Sequence, residues 1–264
     1  MILNVHSEVS VYFTLNLIFN ASVSLTLLPQ YMINTDMTTD LANTIDLSVD
    51  CVLFGFDGES LNVLLIDQKP PAGSKFPADK LQKAIPGDLV MTNEGLDDSA
   101  LRVLKELTSL EGIYLKQFYT FGDPERVGGL KDQDWLRSFR AHPERRVITV
   151  AYYSLVNMDD FHPHASSFAG ETSWIDISNI PNLAFDHNEI VDKALDVLRE
   201  ELVTKHIGFE LLPAKFTLSQ LQRLYEIILD KKLDKRNFRK NIKKMDQVIP
   251  LDEKQKGVLH KPTQ

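Results

Sequence analysis

The sequence predicts an α+β protein: a body in which strands alternate with two amphipathic helices, followed by a smaller helical unit of opposite charge. Three observations carry this. Two β-rich runs flank an Asp57-Gly58 turn signal, helical periodicity marks residues 97–109 and 188–204, and the composition changes abruptly after Pro213. From Pro213 onward 13 Lys and Arg stand against 6 Asp and Glu, whereas the first 212 residues hold 16 against 31, within a net charge of −8. An acidic body with a basic tail suits a tail that meets a polyanion while the body does something else. The 264 residues suffice for one large domain or two ordinary ones, and 43% apolar with 25% charged residues exclude a disordered tail or a fibre. Cys51 is the sole cysteine. That excludes a disulfide framework and a cysteine-based zinc cluster, and points to a reducing, cytoplasmic compartment.

Residues 1–46 read as an extension set apart from the folded core. Val9 to Thr35 carries no charge and superficially resembles a membrane helix or signal segment. No Lys or Arg precedes it, Asn16 and Asn20 interrupt it, no small-residue cleavage site follows, and Phe19 to Leu27 alternates at period two. An extra strand or an upstream extension, with Met32 or Met37 as the true start, fits better, and no membrane partner is expected. The body, residues 47–205, opens with strands Leu47 to Phe56 and Leu61 to Asp67 as an antiparallel hairpin, then a Pro- and Gly-punctuated loop over 69–80. On the helix Asp97 to Ser109, Leu101, Leu104 and Thr108 form one stripe, with Val103 and Leu107 beside it. Ile113 to Phe121 and Arg146 to Val156 are strands, separated by a long polar segment holding Gly128-Gly129 and WLRSFR. Asn188 to Thr204 is the second helix, burying Ile190, Ala194, Val197, Leu198 and Leu202, with His187 at its start beside an Asn188 cap.

The run Ile85 to Leu110, IPGDLVMTNEGLDDSALRVLKELTSL, falls where a strand, a loop and a helix are expected. It resembles a Nudix box, whose pattern is G, five residues, E, seven residues, then R-E-hydrophobic-x-E-E-x-G-hydrophobic. Glu94, Arg102, Leu104, Glu106 and Leu110 match; Asp88, Val103, Leu107 and Ser109 depart from it. In Nudix hydrolases the box glutamates hold divalent cations that bridge a diphosphate. Val103 and Leu107, one helical turn apart, offer no oxygen, and Glu106 alone is a poor magnesium cage. The resemblance therefore implies a Nudix-like α/β/α sandwich in which no catalytic residue, metal or cofactor is expected. Two readings of the kept residues stand: Arg102 and Glu106 as a surface ion pair with Glu94 bracing the loop, or a residual role in binding.

In the tail, residues 206–264, Thr217 followed by Gln220 is a capping-box signature, and Leu218, Leu221, Leu224, Tyr225 and Ile228 share one helical face. After a short break Asp234 caps a second helix with Phe238, Ile242 and Met245 inward. Its outward positions are Lys235, Arg236, Asn237, Arg239, Lys240, Lys243 and Lys244, an almost wholly basic face. A helix–turn–helix lays such a helix in the major groove, where Arg reads guanine, Asn reads adenine and Lys meets phosphate. The stretch after Met245 resembles the start of a β-wing turning at Lys256-Gly257; winged helices of this type have a second wing strand, so either the wing is clipped or the sequence is incomplete.

A degenerate Nudix box ahead of a basic winged helix resembles the Nudix-related transcriptional regulators, over about Leu47 to Gln264. One branch governs NAD metabolism and another arabinose utilisation. The runs LTSLEGIYLKQFYTFG and RVITVAYYSLV look closer to the sugar-responsive branch. The resemblance implies a homodimer that binds a double-stranded DNA operator and a small effector, a sugar or an ADP-ribose-like nucleotide. Arg126, Arg145 and Arg146 border the cleft strands in a Nudix-like arrangement, either to meet that effector or as surface charges. The alternative function is an active Nudix pyrophosphatase. RNA binding is weaker, since no RNA-binding platform pattern occurs in the tail.

Overall fold

The computed structural model describes residues 44–244 apart from 71, 75, 159–162, 164–168, 206, 207, 213, 214 and 243. The expected extension up to residue 43, Met245 and the wing lie outside the described residues. Strand β1 (Ile45–Phe56) runs through the middle of the sheet, so Ile45 and Asp46, read from sequence as the end of the extension, already belong to a strand. It pairs with β2 (Leu61–Gln68) as the expected antiparallel hairpin. The turn closes because Asp57 Oδ1 accepts the N–H groups of Glu59 and Ser60, at 2.9 and 2.7 Å, while Gly58 takes a φ of 98° that a side chain would resist.

Short strands β3 (Lys83–Ala84) and β4 (Gly87–Leu89) lead into helix α1 (Leu96–Thr108). Then come β5 (Lys116–Phe121), helix α2 (Leu130–Phe139), β6 (Arg146–Asn157), β7 (Ala169–Asp176) and helix α3 (His187–Thr204). The sheet order is β3-β2-β1-β6-β5, with β4 beside β1 and β7 beside β2. β1 and β6 are parallel over their full length, from Ile45 opposite Arg146 to Phe56 opposite Asn157. The remaining pairings are antiparallel.

Two helices cover the two faces, giving the α/β/α sandwich. α1 packs Ala100, Val103, Leu104 and Leu107 against Val49, Cys51, Leu53 and Tyr152. Its buried stripe is rotated from the one expected: Leu101 is 45% exposed, while Val103 and Leu107 are fully covered. The strand expected from Ile113 starts only at Lys116, because Ile113 is drawn into the α1 core before the chain straightens. α2 forms within the segment whose sequence reads as polar. Only Trp135 and Leu136 of it are buried, too few apolar positions to show a helical period, and they pack on Val127 and Val147.

On the opposite face α3 buries Ile190, Val191, Ala194, Leu198 and Leu202, and the cluster does not stop there. It continues through Leu211 and Leu212 into α4 (Leu218–Ile228) and α5 (Lys235–Ile242) by way of Leu221, Leu224, Tyr225, Ile228, Phe238 and Ile242. The capping box at Thr217 and Gln220 forms as expected, and Asp234 Oδ1 accepts the Asn237 N–H at 2.8 Å. The helical tail unit is thereby packed onto the sheet body through one apolar core. Among the described residues no helix is long and apolar enough to cross a membrane.

Candidate functional site

Residues alternate sides along a strand, so Asp46, Ser48 and Asp50 share the α3-facing side of β1 with Val52, Phe54 and Phe56. The first half of this side is polar and yet covered: Ser48 and Asp50 are each 5% exposed. Such carboxylates must be partnered. Arg126, in the segment after β5, has 9% exposure and grips Asp186 through Nε and a terminal nitrogen, both at 2.8 Å, with Asp50 3.5 Å away. His187, the first residue of α3, accepts the Ile85 N–H at Nδ1 (3.2 Å) and turns Nε2 toward Asp50 at 3.6 Å. Burial holds its pKa below the ordinary histidine value, against the pull of Asp50, so the ring is neutral near pH 7. Asp132 of α2 accepts the Phe185 N–H at 3.1 Å, and burial raises its pKa.

Phe185 sits in the left-handed region at φ 56°, a strained position for a bulky residue. The kink delivers Asp186 and His187 in succession onto the β1 face. Asn188, expected as the helix cap, instead accepts the Leu183 N–H and donates to the Pro181 carbonyl, pinning the preceding loop, and Asp186 occupies the cap position.

The kept box residues form a second cluster on the α1 side. Arg102 pairs with Glu94 through two nitrogens, with Glu106 at 3.0 Å, and donates to the Leu89 carbonyl at 2.9 Å; Asp88 stands 3.7 Å away. The arginine thus ties the loop before α1 to the helix and to β4. Its hydrogen bonds pull the Glu94 carboxyl below its usual range, while burial raises that of Asp88. Positions 103 and 107 point away from these acids into the dry core. Ser109, where the pattern has glycine, is forced into the left-handed conformation at φ 59° to close α1. Gly87 lies so near Asp50 that a β-carbon there would come within 1.9 Å of Oδ1.

Of the three arginines named from sequence, Arg126 is committed to the Asp186–Asp50 cluster. Arg145 lies 3.6 Å from Asp46, and exposed Arg146 donates to the Gly122 carbonyl at 2.7 Å. Asp50, Asp132 and Arg140 are not among the residues named from sequence. The alternation Asp46-x-Ser48-x-Asp50 within a β-rich run was the available signal; nothing local marks Asp132 or Arg140.

At the far end of the chain α5 turns Phe238 and Ile242 inward. Lys235, Arg236, Asn237, Arg239 and Lys240 are exposed, as is Lys244 just beyond the helix; Lys243 lies outside the described residues. One short helix therefore presents a contiguous cationic surface that includes both arginines and the asparagine.

Residues 208–264 match the family described as the NrtR DNA-binding winged helix domain. With the sandwich that precedes it, this match makes the chain similar to the Nudix-related transcriptional regulators. Over 200 residues the chain is 28% identical to the ADPR responsive transcriptional repressor NtrR of Acinetobacter baylyi, covering 74% of this chain and 71% of that one. Its fold is similar to a MutT/nudix family protein from Enterococcus faecalis, at a TM-score of 0.60 and 24% identity over 83% of this chain and 84% of the other. It is similar also to Shewanella oneidensis NrtR complexed with a 27mer DNA, at a TM-score of 0.53 and 24% identity over 75% and 82%.

Proposed function

We propose that this protein is a homodimeric, ligand-responsive DNA-binding regulator whose sandwich binds an ADP-ribose-type nucleotide and whose α5 reads an operator. The observation that carries the reading is the single apolar core running from the sheet through α3 into α4 and α5. α3 has one end in the charged cluster, through Asp186 and His187, and near its other end Arg199 Nε donates to the Ile228 carbonyl at the close of α4, at 2.8 Å. A ligand that displaces the first end acts on the reading head through a rigid element, provided it binds one arrangement more tightly than the other. Two α5 helices in a dimer multiply a modest half-site affinity.

The sugar effector suggested by the strand sequences gives way here. The similar Acinetobacter repressor is named as ADPR responsive, and that supports a nucleotide effector for this chain. Non-catalytic action is part of the proposal. Val103 and Leu107 leave the α1 side dry, and Glu94, Glu106 and Asp88 all face the Arg102 guanidinium.

Replacing Arg236 and Arg239 together with Ala is expected to abolish duplex binding and leave ADP-ribose affinity intact. Gel shift and calorimetry check both halves. Brisk hydrolysis of ADP-ribose with magnesium by the wild type would favour the pyrophosphatase reading instead.

A further inference from the structure

A guanidinium carries five N–H donors and stays charged in a folded protein, so one drawn out of water is ordinarily met by acceptors. Around the charged half of the β1 face this holds for Arg126 and Arg146. It fails at Arg140. This residue follows the last turn of α2 and is partly buried, and its backbone N–H is taken by the Leu136 carbonyl. Among the described residues its side chain makes no hydrogen bond, and no carboxylate lies within 4.0 Å of it. Its attractive charged neighbours are Asp88, Asp46 and Asp50, each beyond ion-pair distance. Each of those already has another arginine closer: Arg102 at 3.7 Å from Asp88, Arg145 at 3.6 Å from Asp46 and Arg126 at 3.5 Å from Asp50. Arg145 adds a second unmet donor, because its Nε is buried with no hydrogen-bond partner.

We infer that Arg140, with Arg145 across Asp46, is the anion-gripping group of the effector cleft, and that the acceptor it lacks is a phosphate oxygen of a nucleoside diphosphate. A planar fork of donors matches two phosphate oxygens at once, which a lysine or a neutral donor does not. In the ligand-free protein the fork has no protein acceptor at hydrogen-bond distance, and a ligand phosphate supplies charged ones. A sugar without phosphate meets the fork only through neutral hydroxyls. The inference rests on the reading that the cleft takes an ADP-ribose-type nucleotide and names the residue that reads its charged part.

Calorimetric titration of the full chain with ADP-ribose, ADP and adenosine separates the two. Arg140→Ala and Arg140→Gln are expected to weaken ADP-ribose and ADP by about 10- to 100-fold, the range for a charged hydrogen bond, with adenosine affinity and ligand-free DNA binding unchanged. Arg140→Lys recovers part of the loss. ADP-ribose affinity within about twofold of wild type in both neutral variants overturns the inference. So does an equal loss for adenosine and ADP-ribose accompanied by a lower melting temperature, which marks a structural counter-ion. A wild type that binds none of the three nucleotides sinks the effector reading itself. Should the variants not fold, phenylglyoxal labelling of the wild type decides: ADP is expected to protect Arg140, and unchanged labelling overturns the assignment.

Discussion

The two sides of β1 carry different work. Val49, Cys51 and Leu53 meet only α1 and the apolar residues around it. The other side changes character half-way, from Asp46, Ser48 and Asp50 to Val52, Phe54 and Phe56. A uniform apolar side tolerates little but holds firmly. A side that is charged at one end and dry at the other can change partners at the first end while the second stays fixed. α3 lies across that divide, with its start in the charged cluster and its other end packed on α4.

The largest effect is expected where the dry side is made to carry charge. Restoring the Nudix acids with Val103→Glu and Leu107→Glu places two carboxylates at positions with no exposure, and should cost about 4 kcal/mol or more, if the chain folds at all. Urea unfolding measures this. A double variant with a wild-type midpoint and new magnesium-dependent turnover would break the comparison, because the α1 side would then be an accessible cleft.

The charged half should respond to pairing more than to packing. Asp186→Ala leaves the nearly covered Arg126 with Asp50 alone at 3.5 Å, a loss of about 3 kcal/mol, as for one partner removed from a buried ion pair. Replacing Arg126 and Asp186 together by leucines is expected to cost less than the single change. Equal losses would mean that the cluster is held by shape and not by charge.

The smallest effect tests the end of α3. Burial pushes Glu201 up, but hydrogen bonds from Lys116, Tyr153 and Lys205 outweigh it and hold its pKa at about 2 against an ordinary 4.5. The unfolded chain therefore binds more protons between those values, so this contribution is present above pH 4.5 and drains away as pH falls toward 2. Glu201→Gln should flatten the fall in melting temperature across that window. An unaltered slope would show that Glu201 does not anchor α3 to β5.

Much of the cationic helix was legible beforehand because its signals are local. A capping box, an aspartate cap and two inward apolar residues one turn apart place Lys235, Arg236, Asn237, Arg239 and Lys240 on the outside whatever the rest of the chain does. The charged cluster was legible only in part. The Nudix-like arrangement named Arg126 and Arg145, but their partners Asp186, Asp50 and Asp46 lie 60, 76 and 99 residues away in sequence. Arg140 was missed with α2, whose two buried residues give no period to detect.

Periodicity, turn residues and charge were enough to determine the hairpin, the helices α1 and α3, the helix–turn–helix and the opposed charges of body and tail, because each depends on residues within a few positions of one another; the sandwich followed only from the resemblance of residues 85–110 to a Nudix box. Tertiary structure alone decided which arginines are satisfied, which side of α1 is dry, and that one apolar core joins sensor and reading head. Those depend on which carboxylates and which apolar surfaces the topology brings together across the sheet, and burial sets the strength of every charge among them.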